Sequence, residues 1–264
     1  MDRHDILPER PVERSRGFMP GVSVNPSRIL FTAGLTGRHP DGSLVSGGMA
    51  PQTHRACERL QAVLARAGAK FEDVVKQLVY VTDLEAYNAD GRSERGKFFG
   101  STRTASTGLV VQRLADPTML IEIELVVDVA GSPQAKPLLE KYNAEEHSGQ
   151  FYQGVIVNGG RLIYLAGQVA NNRDGSVAGV NDLRRQAEKV YENIGHVLHA
   201  AGATPSSVVK ETTWVLSIDA WRQHGTPVRR GFYRGDYPAS TLVEIRALAR
   251  PEFLVEIEVI AAVA

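Results

Sequence analysis

The feature that most constrains this chain is a segment it contains twice. Ala105-Ser106-Thr107 precedes Pro117 and Leu120-Ile121-Glu122-Ile123-Glu124, and Ala239-Ser240-Thr241 precedes Pro251 and Leu254-Val255-Glu256-Ile257-Glu258. The copies are in register, because 239 − 105 and 256 − 122 both give 134. A repeat of that period implies two domains of ordinary size, each able to bury its own core. The expected division is an arm over 1–17, a domain over 18–130, a linker over 131–150 and a second domain over 151–264.

Each unit carries the same order of local signals. Residues 28–34 (Arg-Ile-Leu-Phe-Thr-Ala-Gly) and 161–167 (Arg-Leu-Ile-Tyr-Leu-Ala-Gly) read as strands ending at a glycine. Asp41-Gly42-Ser43 and Asp174-Gly175-Ser176 supply turns. Leu60, Val63, Leu64 and Ala67 recur at helical spacing before Gly68, as do Ile194, Val197, Leu198 and Ala201 before Gly202. Val74-Val75-Lys76 and Val208-Val209-Lys210 open β-branched strands. A second helix is expected over 84–99, weakened by Gly91. Its counterpart is expected to be interrupted at Gly225-Thr226 and to restart at Pro227. The fold class is α+β, each unit a sheet with two helices on one face.

With 30 basic and 30 acidic residues the chain has no net charge, which disfavours nucleic-acid binding driven by phosphate neutralisation. The single cysteine, Cys57, excludes an intrachain disulfide and a cysteine metal site; its helical setting reads as a buried small apolar position. Met1-Asp2-Arg3-His4-Asp5 lacks the apolar core of a signal peptide, and no run reaches the ~20 apolar residues of a membrane span. A cytoplasmic protein without membrane or nucleic-acid partners is expected.

The strand glutamates carry the chemical interest. Glu256 and Glu258 are two residues apart, so they share a strand face at roughly 6.5–7 Å, as do Glu122 and Glu124. Such a pair is either a solvated strand face or, where burial raises a carboxyl pKa, a proton carrier. Ser106, Thr107, Ser240 and Thr241 have no repeated histidine to act as base, which argues against serine-hydrolase chemistry. His196 and His199 lack a partner motif and a first-unit counterpart, which argues against zinc.

Taken together, the Ala-Gly and Ala-Gly-Gln strand ends, Asp-Gly turns, helices ending Ala-Gly-Ala, Val-Val-Lys strands and closing glutamate strands resemble the Rid family of reactive intermediate deaminases, also called the YjgF or L-PSP endoribonuclease family. The resemblance covers residues 18–130 and 151–264. It implies a chorismate-mutase-like fold in each unit, and a homo-oligomer, trimeric or a multiple, with sites between neighbouring units. It also implies hydrolysis of a small imine or enamine substrate to a ketone and ammonia without metal or cofactor.

Residue by residue, the family's catalytic glutamate matches Glu256 and Glu122, and its N-terminal tyrosine matches Tyr152, with Phe18-Met19 in the first unit. Its Ser-Gly-Gln matches Ala166-Gly167-Gln168 and Ala33-Gly34-Leu35. The arginine that clamps a substrate carboxylate is replaced by Ser106-Thr107 and Ser240-Thr241. An aminomuconate-like ring-cleavage intermediate therefore fits better than a 2-iminoacid. Arg103, Arg113, Arg234 and Arg246 are candidates for a substitute cation. Because the second unit keeps Tyr152, Gln168 and Pro238, it is the expected working unit. Non-catalytic binding or regulation is the alternative function, followed by ribonuclease activity.

Overall fold

The structure, a computed structural model, describes residues 3–6, 21–24, 27–102, 104–130, 137–144 and 151–264. The expected arm and linker lie partly outside these residues, and Phe18, Met19 and Arg103 wholly outside them. Strands β1 (Arg3–Ile6) and β2 (Gly21–Val24) pair as an antiparallel ribbon. The first repeat then runs β3 (Arg28–Thr32), β4 (Leu35–Thr36), α1 (Met49–Ala67), β5 (Val74–Val81), α2 (residues 84–99), β6 (Ala105–Val110) and β7 (Ile121–Asp128). After β8 (Leu139–Tyr142) and β9 (Gly154–Asn158), the second continues with β10 (Arg161–Tyr164), α3 (Leu183–Ala200), β11 (Val208–Val215), α4 (residues 218–233), β12 (Ala239–Glu244) and β13 (Val255–Val263).

The helices form where the apolar spacing places them. Leu60, Val63, Leu64 and Ala67 of α1 are buried, and Gly68 closes the helix in the left-handed region at φ 73°. At the start of α3 the Asp182 side chain accepts the Arg185 backbone N–H. The helix expected to restart at Pro227 is instead helical from Ile218 to Tyr233, with a wider i→i+5 turn over Trp221–Gly225. There the Thr226 N–H reaches the Trp221 carbonyl, so the ladder shifts register just before the residue that lacks a donor. Gly225 is required by packing, since a Cβ there would sit 2.0 Å from the Trp221 ring. The first unit repeats the wide turn over Tyr87–Gly91.

The strands form a seven-stranded sheet, ordered β6-β5-β7-β3-β9-β8 with β4 also on β7, and a four-stranded sheet, β10-β13-β11-β12. In these two sheets only β5–β6 and β11–β12 are parallel. The sheets do not divide where the sequence repeats: β9 pairs with β3 from Arg28↔Asn158 to Thr32↔Gly154, so the second repeat's first strand extends the first repeat's sheet. Helix α1 packs on β3, β4 and β7, and α3 on β13. The opposite faces of the sheets turn toward each other across a cavity of about 90 Å³, lined by Tyr80 and Glu124 on one side and Lys210 and Glu258 on the other. Among the described residues no helix is long and apolar enough to cross a membrane.

Candidate functional site

The closing strand of the first unit, β7, runs between β3 and β5, so its glutamates are enclosed rather than solvated: Glu122 is 5% exposed and Glu124 7%. Glu122 stands opposite Thr36 on one side and Tyr80 on the other. Its carboxyl lies against Gly34, where a Cβ would come within 1.9 Å of Oε1. Any side chain at that position would displace the carboxyl, which is the physical reason for the Ala-Gly strand end. Burial, with the Glu124 carboxylate beside it, pushes the Glu122 carboxyl up to about 8 against the pull of Lys210 and Arg59.

Gly34 also joins the two units. Its N–H is directed at both the Ser240 carbonyl (3.3 Å) and Thr241 Oγ1 (3.1 Å), and the neighbouring Ala33 N–H donates to the Gln153 carbonyl at 2.9 Å. The Thr241 hydroxyl in turn donates to Glu124 Oε2 and accepts from Lys210 Nζ at 2.7 Å. Lys210 Nζ completes its set with Glu124 Oε2 at 2.6 Å and the Thr32 carbonyl at 3.2 Å. All three ammonium donors are thereby used, and Glu124 Oε2 takes two hydrogen bonds, in a buried junction of the kind a buried ion pair needs. Tyr152 lies beside this junction, its N–H donating to the Pro238 carbonyl at 3.3 Å.

The structure thus gathers Gly34 and Glu122 from one unit with Tyr152, Ser240 and Thr241 from the other. It does not bring Gly167, Gln168 and Glu256 to that place. Gln168 exchanges backbone hydrogen bonds with Ile257, and Gly167 touches the Glu256 carboxyl as Gly34 touches Glu122, with 2.0 Å to a would-be Cβ. Glu256, however, is only half-buried. Ser106 and Thr107 form a third group on β6, an edge of the larger sheet, where Thr107 is exposed.

Of the arginines expected to supply a cation, Arg113 forms a two-point ion pair with Asp219 at 2.8 and 3.2 Å, and Arg234 and Arg246 are exposed. The expectation missed Lys210, although Val-Val-Lys recurs in both units, and it missed Arg95. Arg95 is one of a pair with Arg229 at the same offset of 134, which the repeat arithmetic exposes once applied to the helices. Cys57 is fully buried, and burial pushes its thiol up to about 12. His196 and His199 are exposed on α3, and among the described residues no group of three or more metal-ligating side chains is assembled.

Comparison with known proteins places these features. The sequence matches the endoribonuclease L-PSP family twice, over residues 14–129 and 142–263. A RutC family protein of Pyrococcus abyssi is 33% identical over 105 residues, 39% of this chain and 81% of that protein. A 2-iminobutanoate/2-iminopropanoate deaminase of Rattus norvegicus is 29% identical over 115 residues, 43% of this chain and 80% of that protein. The crystal structure of a Rid-family protein of unknown function from Yersinia pestis is 34% identical, covering 48% of this chain and all of that one, at a TM-score of 0.45. Each relative spans about one unit, and two successive matches account for nearly the whole sequence: the chain belongs to the endoribonuclease L-PSP (Rid) family as a tandem member.

Proposed function

We propose that this protein is a cofactor-free hydrolytic deaminase of a reactive imine or enamine, with Glu122 as the proton-transferring group. The observation that carries the reading is the Glu122 carboxyl, enclosed beside Gly34 and holding its proton to about pH 8. A protonated carboxyl delivers its proton to the imine nitrogen, and the resulting carboxylate takes one from the attacking water. The carbinolamine formed then loses its C–N bond, so that imine and water become ketone and ammonia. The relatives named as 2-iminobutanoate/2-iminopropanoate deaminases support the reaction kind. The proposed substrate class is a ring-cleavage enamine of the aminomuconate type, whose carboxylates would be met by a group other than an arginine at the Ser106 and Ser240 positions.

This reading moves the working site from the second unit, favoured by residue matching, to the junction where the first unit's glutamate meets the second unit's Ser240-Thr241. Ammonia release from imines and ring-cleavage enamines generated in the assay tests it. Glu122→Gln is expected to lower turnover by at least 100-fold and Glu256→Gln by less. Equal losses would return the choice of unit to open competition, and no ammonia release from any substrate would favour the non-catalytic binding reading.

The junction is heterologous: one unit offers Gly34 and Glu122, the other Lys210, Ser240 and Thr241. Among the described residues, their repeat counterparts Gly167 and Glu256 on one side and Ser106 and Thr107 on the other are not brought together, while Lys76 lines the central cavity with Glu258. Thr107 is exposed and Glu256 is half-buried. A second copy meeting the first in the same way would join these halves, so we read the protein as a homo-oligomer.

A further inference from the structure

The first strands of the two units are not placed alike. Gly21-Val22-Ser23-Val24 of β2 and Gly154-Val155-Ile156-Val157 of β9 are repeat counterparts 133 residues apart, and each is followed by asparagine. Each also pairs over four residues with the strand before it: β1–β2 from Arg3↔Val24 to Ile6↔Gly21, and β8–β9 from Leu139↔Val157 to Tyr142↔Gly154. The β8–β9 ribbon is seated on β3, whose other side meets β7. The β1–β2 ribbon joins neither of the two larger sheets and rests beside β5. Strand β10, the counterpart of β3 at the same offset of 133, is left as a sheet edge among the described residues.

The open edge of β10 corresponds to the one that β9 covers on β3. The Leu165 N–H donates to the Val259 carbonyl at 3.0 Å, so residues 161, 163 and 165 direct their backbone groups at β13. Those of Leu162 and Tyr164 point outward, as those of Ile29 and Phe31 point at β9. Tyr164 is 68% exposed, whereas its counterpart Phe31 is 2% exposed. An unpaired edge of this kind is a template for a further strand. The crossing that would bring β2 there is already formed, because the Gly159 N–H donates to the Ser27 carbonyl at 3.0 Å. That bond continues the β3–β9 ladder: residue numbers total 186 in Arg28↔Asn158 and again for Ser27 with Gly159. Gly159 and Gly160, at φ 73° and 78°, then carry the chain into β10. Pairs with the same total set Val24 opposite Leu162, Ser23 opposite Ile163 and Val22 opposite Tyr164. A link of only three residues, 25–27, separates β2 from β3, which holds β2 at a local concentration of about millimolar, above that of a second copy.

We propose that the outer edge of β10 is the seat of β2 from the same chain, paired antiparallel in that register, so that the two units exchange their first strands reciprocally. The second unit then gains the outer strand that β9 gives the first. The seated strand also steadies the path from β10 through Ala166 to Gly167, which touches the Glu256 carboxyl. The inference stands apart from the deaminase reading, because it is measured without turnover.

The test is oxidative cross-linking of the full chain carrying Ser23→Cys and Ile163→Cys. Because the groups of Ile163 face β13, its pair with Ser23 is a non-hydrogen-bonded one, with Cα atoms about 4.5 Å apart, within the span of a disulfide. Cys57 is fully buried with its thiol pushed up to about 12, so it does not compete. The expected product is a 23–163 disulfide at the mass of one chain on a non-reducing gel. Ser23→Cys with Tyr164→Cys, one residue out of register and on opposite faces, should give at least 10-fold less. Hydrogen exchange supplies a reading without cysteines. The amides of Leu162 and Tyr164 should exchange at least 10-fold faster in Val22→Pro, which removes the donor opposite Tyr164, than in the wild type. A disulfide between chains would give the seat to a second copy and overturn the proposal. Equal cross-linking of the two cysteine pairs, or equal exchange in wild type and Val22→Pro, would overturn it as well.

Discussion

Replacing Glu122 by Gln removes the one described carboxyl whose proton is held to about pH 8, and the consequence for stability can be worked through. The folded carboxyl keeps its proton up to about pH 8, whereas the unfolded one releases it near its ordinary 4.5. Between those values the folded state binds more protons than the unfolded state, so stability falls as pH rises, and the fall levels off above 8. The window spans about 3.5 pH units, and at about 1.36 kcal/mol per unit it amounts to about 4–5 kcal/mol. Glutamine keeps the shape against Gly34 and does not titrate, so that slope should vanish. Urea unfolding of wild type and Glu122→Gln at pH 5.5 and 8.5 gives the difference directly, since the other titrating groups are common to both proteins. The variant should gain on the wild type by about 3 kcal/mol between the two pH values, because the lowest pH unit of the window lies below 5.5. Parallel pH dependence of the two proteins, within about 1 kcal/mol, would show that Glu122 is ionised in the folded state and would remove the basis for its role as acid.

Two further outcomes follow from the junction. Lys210→Met strands the Glu124 carboxylate in a buried setting and should cost roughly 3–5 kcal/mol in chemical denaturation. Adding Glu124→Leu should recover most of that loss, and an unchanged stability in Lys210→Met alone would deny the network its structural role. If the proposed homo-oligomer forms, sedimentation equilibrium at micromolar concentration should return a mass that is a multiple of the 28.8 kDa chain. A monomer would remove the homo-oligomer reading.

The glutamates Glu122 and Glu256 illustrate the limit of matching residues along a chain. They occupy equivalent positions against equivalent glycines, yet one is enclosed and holds its proton while the other is half-buried. The difference comes from which unit's Ser-Thr strand lies over the glycine, a relation between residues more than a hundred positions apart. Tyr152 and Gln168 argued for the second unit by their identity, but the chain carries Tyr152 onto the first unit's Ala33-Gly34 edge, leaving Gln168 with Glu256. The interruption expected at Gly225-Thr226-Pro227 failed for a local reason, since a wide turn absorbs the proline's missing donor.

What the sequence determined by itself was whatever depends on neighbours a few residues apart and on the offset of 134. The two units, their strand and helix order, the helix ends at Gly68 and Asp182, the glutamate strands and the family all follow from local spacing and repetition. Only the tertiary structure decided that β9 completes the first unit's sheet and that Lys210 is spent on Glu124. These outcomes turn on desolvation and on charge pairing across long sequence separations. A repeated motif specifies the same side chain twice, but its protonation and its partner are set by what the fold packs over it.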